Sequence, residues 1–181
     1  MEIEFVKAQK NPNQYFIIKH NELYLLAEYN KKEDKKELFT PNHTKVGHGF
    51  SYASKRFQLV PDYFVQIFDK ENFEVLVQHK SLLRQTYSFT FEGCSYSIIS
   101  HVGCKFSIFK TEKQVAYYQT GGDNLGSGNM LLVADDNICE KLFCLIALHL
   151  HSAFGSESRG TNATFNLVFQ KSRFNKYWRP S

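Results

Sequence analysis

The stretch from Ala134 to Gly155, ADDNICEKLFCLIALHLHSAFG, reads as the one long helix of a chain otherwise written in strands. Asp135 or Asp136 suits the N-cap, Glu140 puts negative charge near the positive end of the helix dipole, and Gly155 fits the left-handed position past the C-terminus. Between these limits, over about residues 136–154, Ile138, Cys139, Leu142, Phe143, Cys144, Leu145, Ile146, Ala147, Leu148, Leu150, Ala153 and Phe154 leave no polar face. A helix without a polar face has to be buried on all sides. The unbroken apolar run from Leu142 to Leu148 stops at His149, well short of the roughly 20 residues that a bilayer demands, so the expectation is a core helix and not a transmembrane one.

Working outward, 181 residues suit a single domain, residues 1–181, large enough to enclose a helix in one core. Seventeen Phe and ten Tyr favour strands, because aromatic rings fit a pleated surface and lose rotamer freedom in a helix. A net charge of +4, from 22 basic and 18 acidic residues, permits attraction to anionic surfaces but lacks the concentration of a dedicated nucleic-acid binder. The opening MEIEFVKAQKNPNQ has no basic-plus-apolar signal pattern, which points to the cytoplasm, and the four cysteines form no CxxC pair and read as thiols.

Tyr15 to Lys19 and Glu22 to Tyr29 are β-prone runs with His20-Asn21 between them as a hairpin turn. Asn30 to Gly49, rich in nearly cancelling Lys, Glu and Asp, reads as a long solvated loop. Strand signals then follow at Ser51 to Val60, Tyr63 to Asp69, Phe73 to Lys80, Tyr87 to Glu92, Ser95 to His101, Lys105 to Lys110, Gln114 to Thr120 and Met130 to Val133. Turn chemistry at Asp69 to Asn72, Glu92-Gly93 and Lys110 to Lys113 makes this an antiparallel meander. Tyr87, Phe89 and Phe91 alternate with Ser88 and Thr90, so one face is apolar and must be covered. The predicted fold is mainly β: a closed or strongly curled antiparallel barrel wrapped around one buried hydrophobic helix.

That order resembles the tubby C-terminal-like fold shared by tubby proteins, the plant LURP-one-related proteins and phospholipid scramblases. The segments that carry the resemblance are Tyr63 to Asp69 with Phe73 to Lys80, then Tyr87 to Phe91, Ser95 to His101 and Lys105 to Phe109, then Met130 to Phe154, about half of the chain. It implies a barrel threaded by a structural helix and a role in phosphoinositide or membrane-surface binding. Because it is carried by order and pattern, it assigns no ligand-binding residue by number.

Candidate chemistry is sparse. The loop Thr120 to Asn129 is glycine-rich but lacks the Lys-Ser/Thr ending of a phosphate loop and leads into a strand, so it reads as a strand connection. Ser156 to Gly160 lacks the first glycine of a nucleophile elbow. His149 and His151 lie about 200° apart on a helix and cannot share a metal; His79 and His101 could approach only across strands, with no carboxylate partner in view. No catalytic constellation, metal site or cofactor is therefore expected. The C-terminal run holds Lys171, Arg173, Lys176, Tyr177, Trp178 and Arg179, interleaved cations and rings that suit a bilayer interface or, alternatively, pin the tail to the barrel. A second basic group, Lys55-Arg56 with His79-Lys80 and Arg84, would gather at one rim. The expectation is a non-enzymatic binding module, cytoplasmic and peripheral at a membrane, recognising anionic lipid headgroups; the alternative is a protein partner held by strand addition or loop docking.

Overall fold

The structure, a computed structural model, describes residues 1–52, 61–68, 72–81, 86–101, 105–120, 129–135 and 138–154, with Trp178 and Pro180. Within them the chain forms twelve strands: β1 (Glu2–Lys7), β2 (Gln14–Lys19), β3 (Glu22–Asn30), β4 (Lys35–Phe39), β5 (Lys45–Tyr52), β6 (Asp62–Ile67), β7 (Phe73–Ser81), β8 (Thr86–Phe91), β9 (Cys94–His101), β10 (Lys105–Lys110), β11 (Lys113–Thr120) and β12 (Met130–Ala134). Helix α1 (Glu140–Phe154) follows.

Each strand pairs antiparallel with its sequence neighbour, and β1 pairs with β12 through Glu2↔Val133 to Phe5↔Met130, which closes the barrel. The alternation of inward and outward residues drives this. Ile3 and Phe5 on β1, Tyr63, Val65 and Ile67 on β6, Tyr87 and Phe89 on β8, and Met130 and Leu132 on β12 all join one core. His20-Asn21 and Glu92-Gly93 each hold two successive positive φ angles, 52° and 64°, then 50° and 70°, the backbone that a two-residue hairpin needs. Register shifts at Ile17/Ile18, Leu38/Phe39, His79/Ser81 and Ile108/Phe109 bend the strands further.

Every residue of α1 from Leu142 to Leu150 is buried, a span of about two and a half turns, so this part of the helix has no solvent-facing side. Its side chains meet the wall around much of the circumference. Phe143 packs edge-on to Phe89 and Tyr96, a Cβ on Gly47 would lie 3.2 Å from Leu145, and His149 packs on Tyr63.

Three expectations are corrected. Asn30 to Gly49 is not a solvated loop: β4 and most of β5 lie there, paired from Lys35↔Phe50 to Phe39↔Lys45. Around a buried stripe, Leu38 and Val46, Lys35, Glu37 and Lys45 face outward and form the Lys35–Glu37 pair at 3.4 Å and the Lys45–Glu37 pair, while Lys36 is buried. Strand addition to a free edge is removed as a binding mode, because the closed order leaves no described strand unpaired on either side. Nor does Asp135 cap the helix. Its N–H donates to Val115 O at 2.8 Å in continuation of the β11–β12 ladder, and Cys139, whose carbonyl accepts from Phe143 N–H at 3.1 Å, precedes the first helical residue. Asp136, Gly155 and the strand expected up to Val60 beyond Tyr52 fall outside the described residues.

Candidate functional site

An up-and-down barrel has two mouths, and α1 runs from one to the other. At the first, Glu140 in the opening turn accepts a hydrogen bond from Lys19 Nζ at the end of β2, with the Tyr24 hydroxyl beside it. A carboxylate there complements the positive end of the helix dipole. The second mouth, where α1 ends, is formed by the ends of β1, β3, β5, β7, β9 and β11 and the beginnings of the even-numbered strands, and there His149 and His151 meet Lys36 of β4, Tyr63 of β6 and Tyr15 of β2.

Just inside this second mouth the core turns polar. Lys36, one residue in from the start of β4, is only 5% exposed, and its Nζ lies 3.1 Å from Nδ1 of His149, which is fully buried. An ammonium can only donate, so Nδ1 accepts and the imidazole is neutral with its proton on Nε2, which faces the Gly49 backbone. The glycine is required: a Cβ at position 49 would overlap Nε2. The His149 ring packs on Tyr63 with centroids 4.9 Å apart, Tyr63 on Tyr87 at 5.6 Å, and Tyr87 edge-on to His79 at 5.3 Å. Asp62 accepts from the His79 N–H at 2.7 Å, and His151 Nε2 lies 3.2 Å from the Tyr15 hydroxyl.

Burial sets the proton affinities here. It lowers the Lys36 ammonium to about 8, and together with the nearby Lys36 charge it holds His149 well below the ordinary imidazole range. Burial, with Lys7 and Lys36 adding to it, brings His151 down to about 4, while Tyr63 is pushed up to about 12 and Tyr87 well above its usual value. The tyrosines are thus hydroxyl donors throughout the physiological range.

The two mouths also differ in charge. Around the second, the described cations are Lys7, Lys10, Lys31, Lys32, Lys35, Lys36, Lys80 and Lys105, against Glu28, Glu33, Asp34 and Asp62. Around the first, Lys19, Lys45, Lys110, Lys113 and Lys141 face Glu2, Glu22, Glu74, Glu92, Glu112, Asp135 and Glu140. Lys7, Lys10, Lys31, Lys32 and Lys80 are exposed.

Of the sequence-predicted tail, Lys171, Arg173, Lys176, Tyr177 and Arg179 lie outside the described residues. Trp178 is half-buried, its ring edge-on to Tyr117 at 5.9 Å, which puts it midway along the outer wall of β11 and not at a mouth. Lys55, Arg56 and Arg84, the glycines between Thr120 and Asn129, and Ser156 to Gly160 are also outside the described residues, whereas Lys80 does stand at the basic mouth. His79 and His101 are not brought together. His79 continues the inward row of Val75 and Val77, while His101 alternates with inward Ile98 and Ser100 and bonds Ser107 at 2.9 Å on the outer face. With Ser107 only 1% exposed, that pair has no access to a substrate. Cys94, Cys139 and Cys144 are free thiols.

Sequence reasoning missed Lys36 and the tyrosine pair. The available signal was Gly47-His-Gly49 inside a β-prone run, since strand glycines mark a close approach by something else. Comparison with known proteins finds no matching family model, no matching curated protein and no matching solved structure.

Proposed function

We propose that the chain is a non-enzymatic binding module of tubby-like type that turns its basic mouth toward an anionic membrane surface, acting from the cytoplasm as a peripheral protein. The observation that carries this reading is the unequal charge of the two mouths: exposed lysines gather where α1 ends, and acids predominate where it begins. A closed twelve-strand barrel with a hydrophobic helix packed against its wall is the architecture that the tubby resemblance implies, and so adds support. Among the described residues no helix is long and apolar enough to cross a membrane.

Each lysine near an anionic surface contributes on the order of 1 kcal/mol, so four that engage change partitioning about a thousandfold. The tail cations Lys171, Arg173, Lys176 and Arg179 are proposed as a second contributor. Co-sedimentation with phosphatidylserine vesicles separates the two: replacing Lys7, Lys31, Lys32 and Lys80 by Gln abolishes binding if the mouth carries it, and replacing the four tail cations abolishes it if the tail does. Binding should weaken steeply with salt, because exposed charges are screened over about 8 to 10 Å at physiological ionic strength. No binding by the intact chain at low salt would overturn the reading.

A protein partner is the second reading, favoured by one observation. On the outer wall Phe50, Phe64 and Leu76 are directly paired neighbours across β5, β6 and β7, with Leu76 38% exposed and Tyr52 48% exposed nearby. Such an apolar strip suits docking of a partner's surface, and its signature would be retention of a partner by the mouth variant and loss of it in Leu76→Lys.

A further inference from the structure

Lys36 has an unusual set of neighbours. Its Nζ meets Nδ1 of His149 at 3.1 Å and the face of the Tyr29 ring at 5.2 Å, and no carboxylate of the described residues lies within ion-pairing distance. Asp34 acts on it only from afar, its carboxylate accepting instead from the Tyr29 hydroxyl at 2.9 Å. A buried ammonium without a counter-charge is strongly unfavourable. A second, independent observation lies two rings away. The Tyr63 and Tyr87 hydroxyls are enclosed in the core and face one another without completing a hydrogen bond of ordinary geometry. Each such orphan donor costs about 1 to 3 kcal/mol, and buried polar groups are as a rule satisfied by protein, water or an ion. Cation and hydroxyls belong to one continuous string, Lys36, His149, Tyr63, Tyr87, just inside the basic mouth.

We propose that this string is a binding site for a small oxyanion of the phosphate class, in which Lys36 supplies the counter-charge and the Tyr63 and Tyr87 hydroxyls donate to the anion's oxygens. His149, neutral and accepting from Lys36, aims the ammonium, and Gly49 leaves the room that this histidine needs. Asp62 lies on the β6 side, its carboxylate accepting from the His79 N–H at 2.7 Å. The phosphate can be free or belong to a lipid headgroup. The proposal rests on buried groups and stands apart from the exposed lysines of the membrane reading.

The test is thermal unfolding of the full chain in inorganic phosphate, and separately in glycerol 3-phosphate, at constant ionic strength. A saturable rise in melting point of roughly 3 to 6 °C at ten times the dissociation constant is expected. A response to glycerol 3-phosphate alone assigns the site to a headgroup and supports the oxyanion class equally. Lys36→Met should remove the rise while melting no lower than the intact chain in phosphate-free buffer, because an apolar residue of similar length in place of a buried charge is tolerated. Tyr63→Phe with Tyr87→Phe, which keeps both rings, should reduce it at least tenfold in apparent affinity. The variant of the exposed lysines, Lys7, Lys31, Lys32 and Lys80 to Gln, should keep it, so loss of vesicle binding there leaves this site standing. An equal rise in the intact chain, in Lys36→Met and in the double Phe variant, or no saturable rise with either probe, overturns the proposal.

Discussion

The two halves of the buried helix face very different surroundings. From Leu142 to Ile146 the packing is wholly apolar, with Phe143 against Phe89 and Tyr96 and Leu145 near Gly47 and Ile67. From His149 onward the helix meets an ammonium, imidazoles and tyrosine hydroxyls. Leu142 to Leu150 are buried throughout and His151 in part, so the difference between the halves lies in what burial does. In the first it contributes stability through area removed from water. In the second it opposes charging of Lys36, His149 and His151, which a fold selected for stability alone would replace with apolar residues. Stability is concentrated toward one mouth and chemistry toward the other.

The largest expected effect breaks the apolar half. Leu145→Asp puts an unpaired charge where the wall closes on the helix, a penalty comparable with the roughly 5 to 15 kcal/mol of a whole domain. No folded protein should be recovered, and a soluble variant with unchanged melting temperature would contradict the enclosed helix. By contrast His149→Leu in the polar half should fold.

Next comes acid. His151 has an ordinary affinity near 6.5 when unfolded and about 4 when folded, so the unfolded chain binds more protons between those values. Stability is therefore fully present above pH 6.5 and is lost as pH falls toward 4, by on the order of 3 kcal/mol from this group, with His149 adding in the same direction. Urea unfolding at pH 7 and pH 4.5 should show a smaller loss for His151→Gln than for the intact chain; equal losses would contradict the assignment.

A smaller effect sharpens the comparison at one residue. Gly49→Ala forces a methyl against His149 and should cost about 1 to 3 kcal/mol, most of it relieved when His149→Ala is added. Purely additive losses would mean that the glycine serves the backbone and not the histidine.

The helix was legible because its periodicity has no polar face, and β2, β3 and β6 to β12 because apolar residues alternate between turn signals. The solvated-loop reading of Asn30 to Gly49 failed for a specific reason. β4 directs Lys35 and Glu37 outward and places a lysine, Lys36, inward, while β5 meets the helix with Gly47 and Gly49 instead of large apolar residues. Both departures from strand composition occur where the wall adapts to His149. A residue-36 to residue-149 contact is set by barrel closure, which no local pattern encodes. What the sequence did carry was a helix without a polar face, within which His149 is fully buried. β1 also had its pattern in view, with Ile3 and Phe5 alternating against Glu2 and Glu4, but a strand at the chain start is recognised only once β12 supplies its second neighbour.

The central claim is that the mouth where α1 ends is the face presented to an anionic surface. Amide hydrogen exchange with and without phosphatidylserine vesicles tests it directly, because turns at the two mouths are both solvent-exposed and exchange fast when free. Added vesicles should slow exchange in the Asn30 to Asp34 turn, and leave the Thr40 to Thr44 and Thr111-Glu112 turns at the opposite mouth unchanged. Protection at the Thr40 to Thr44 and Thr111-Glu112 turns instead, or at neither mouth, would contradict the account.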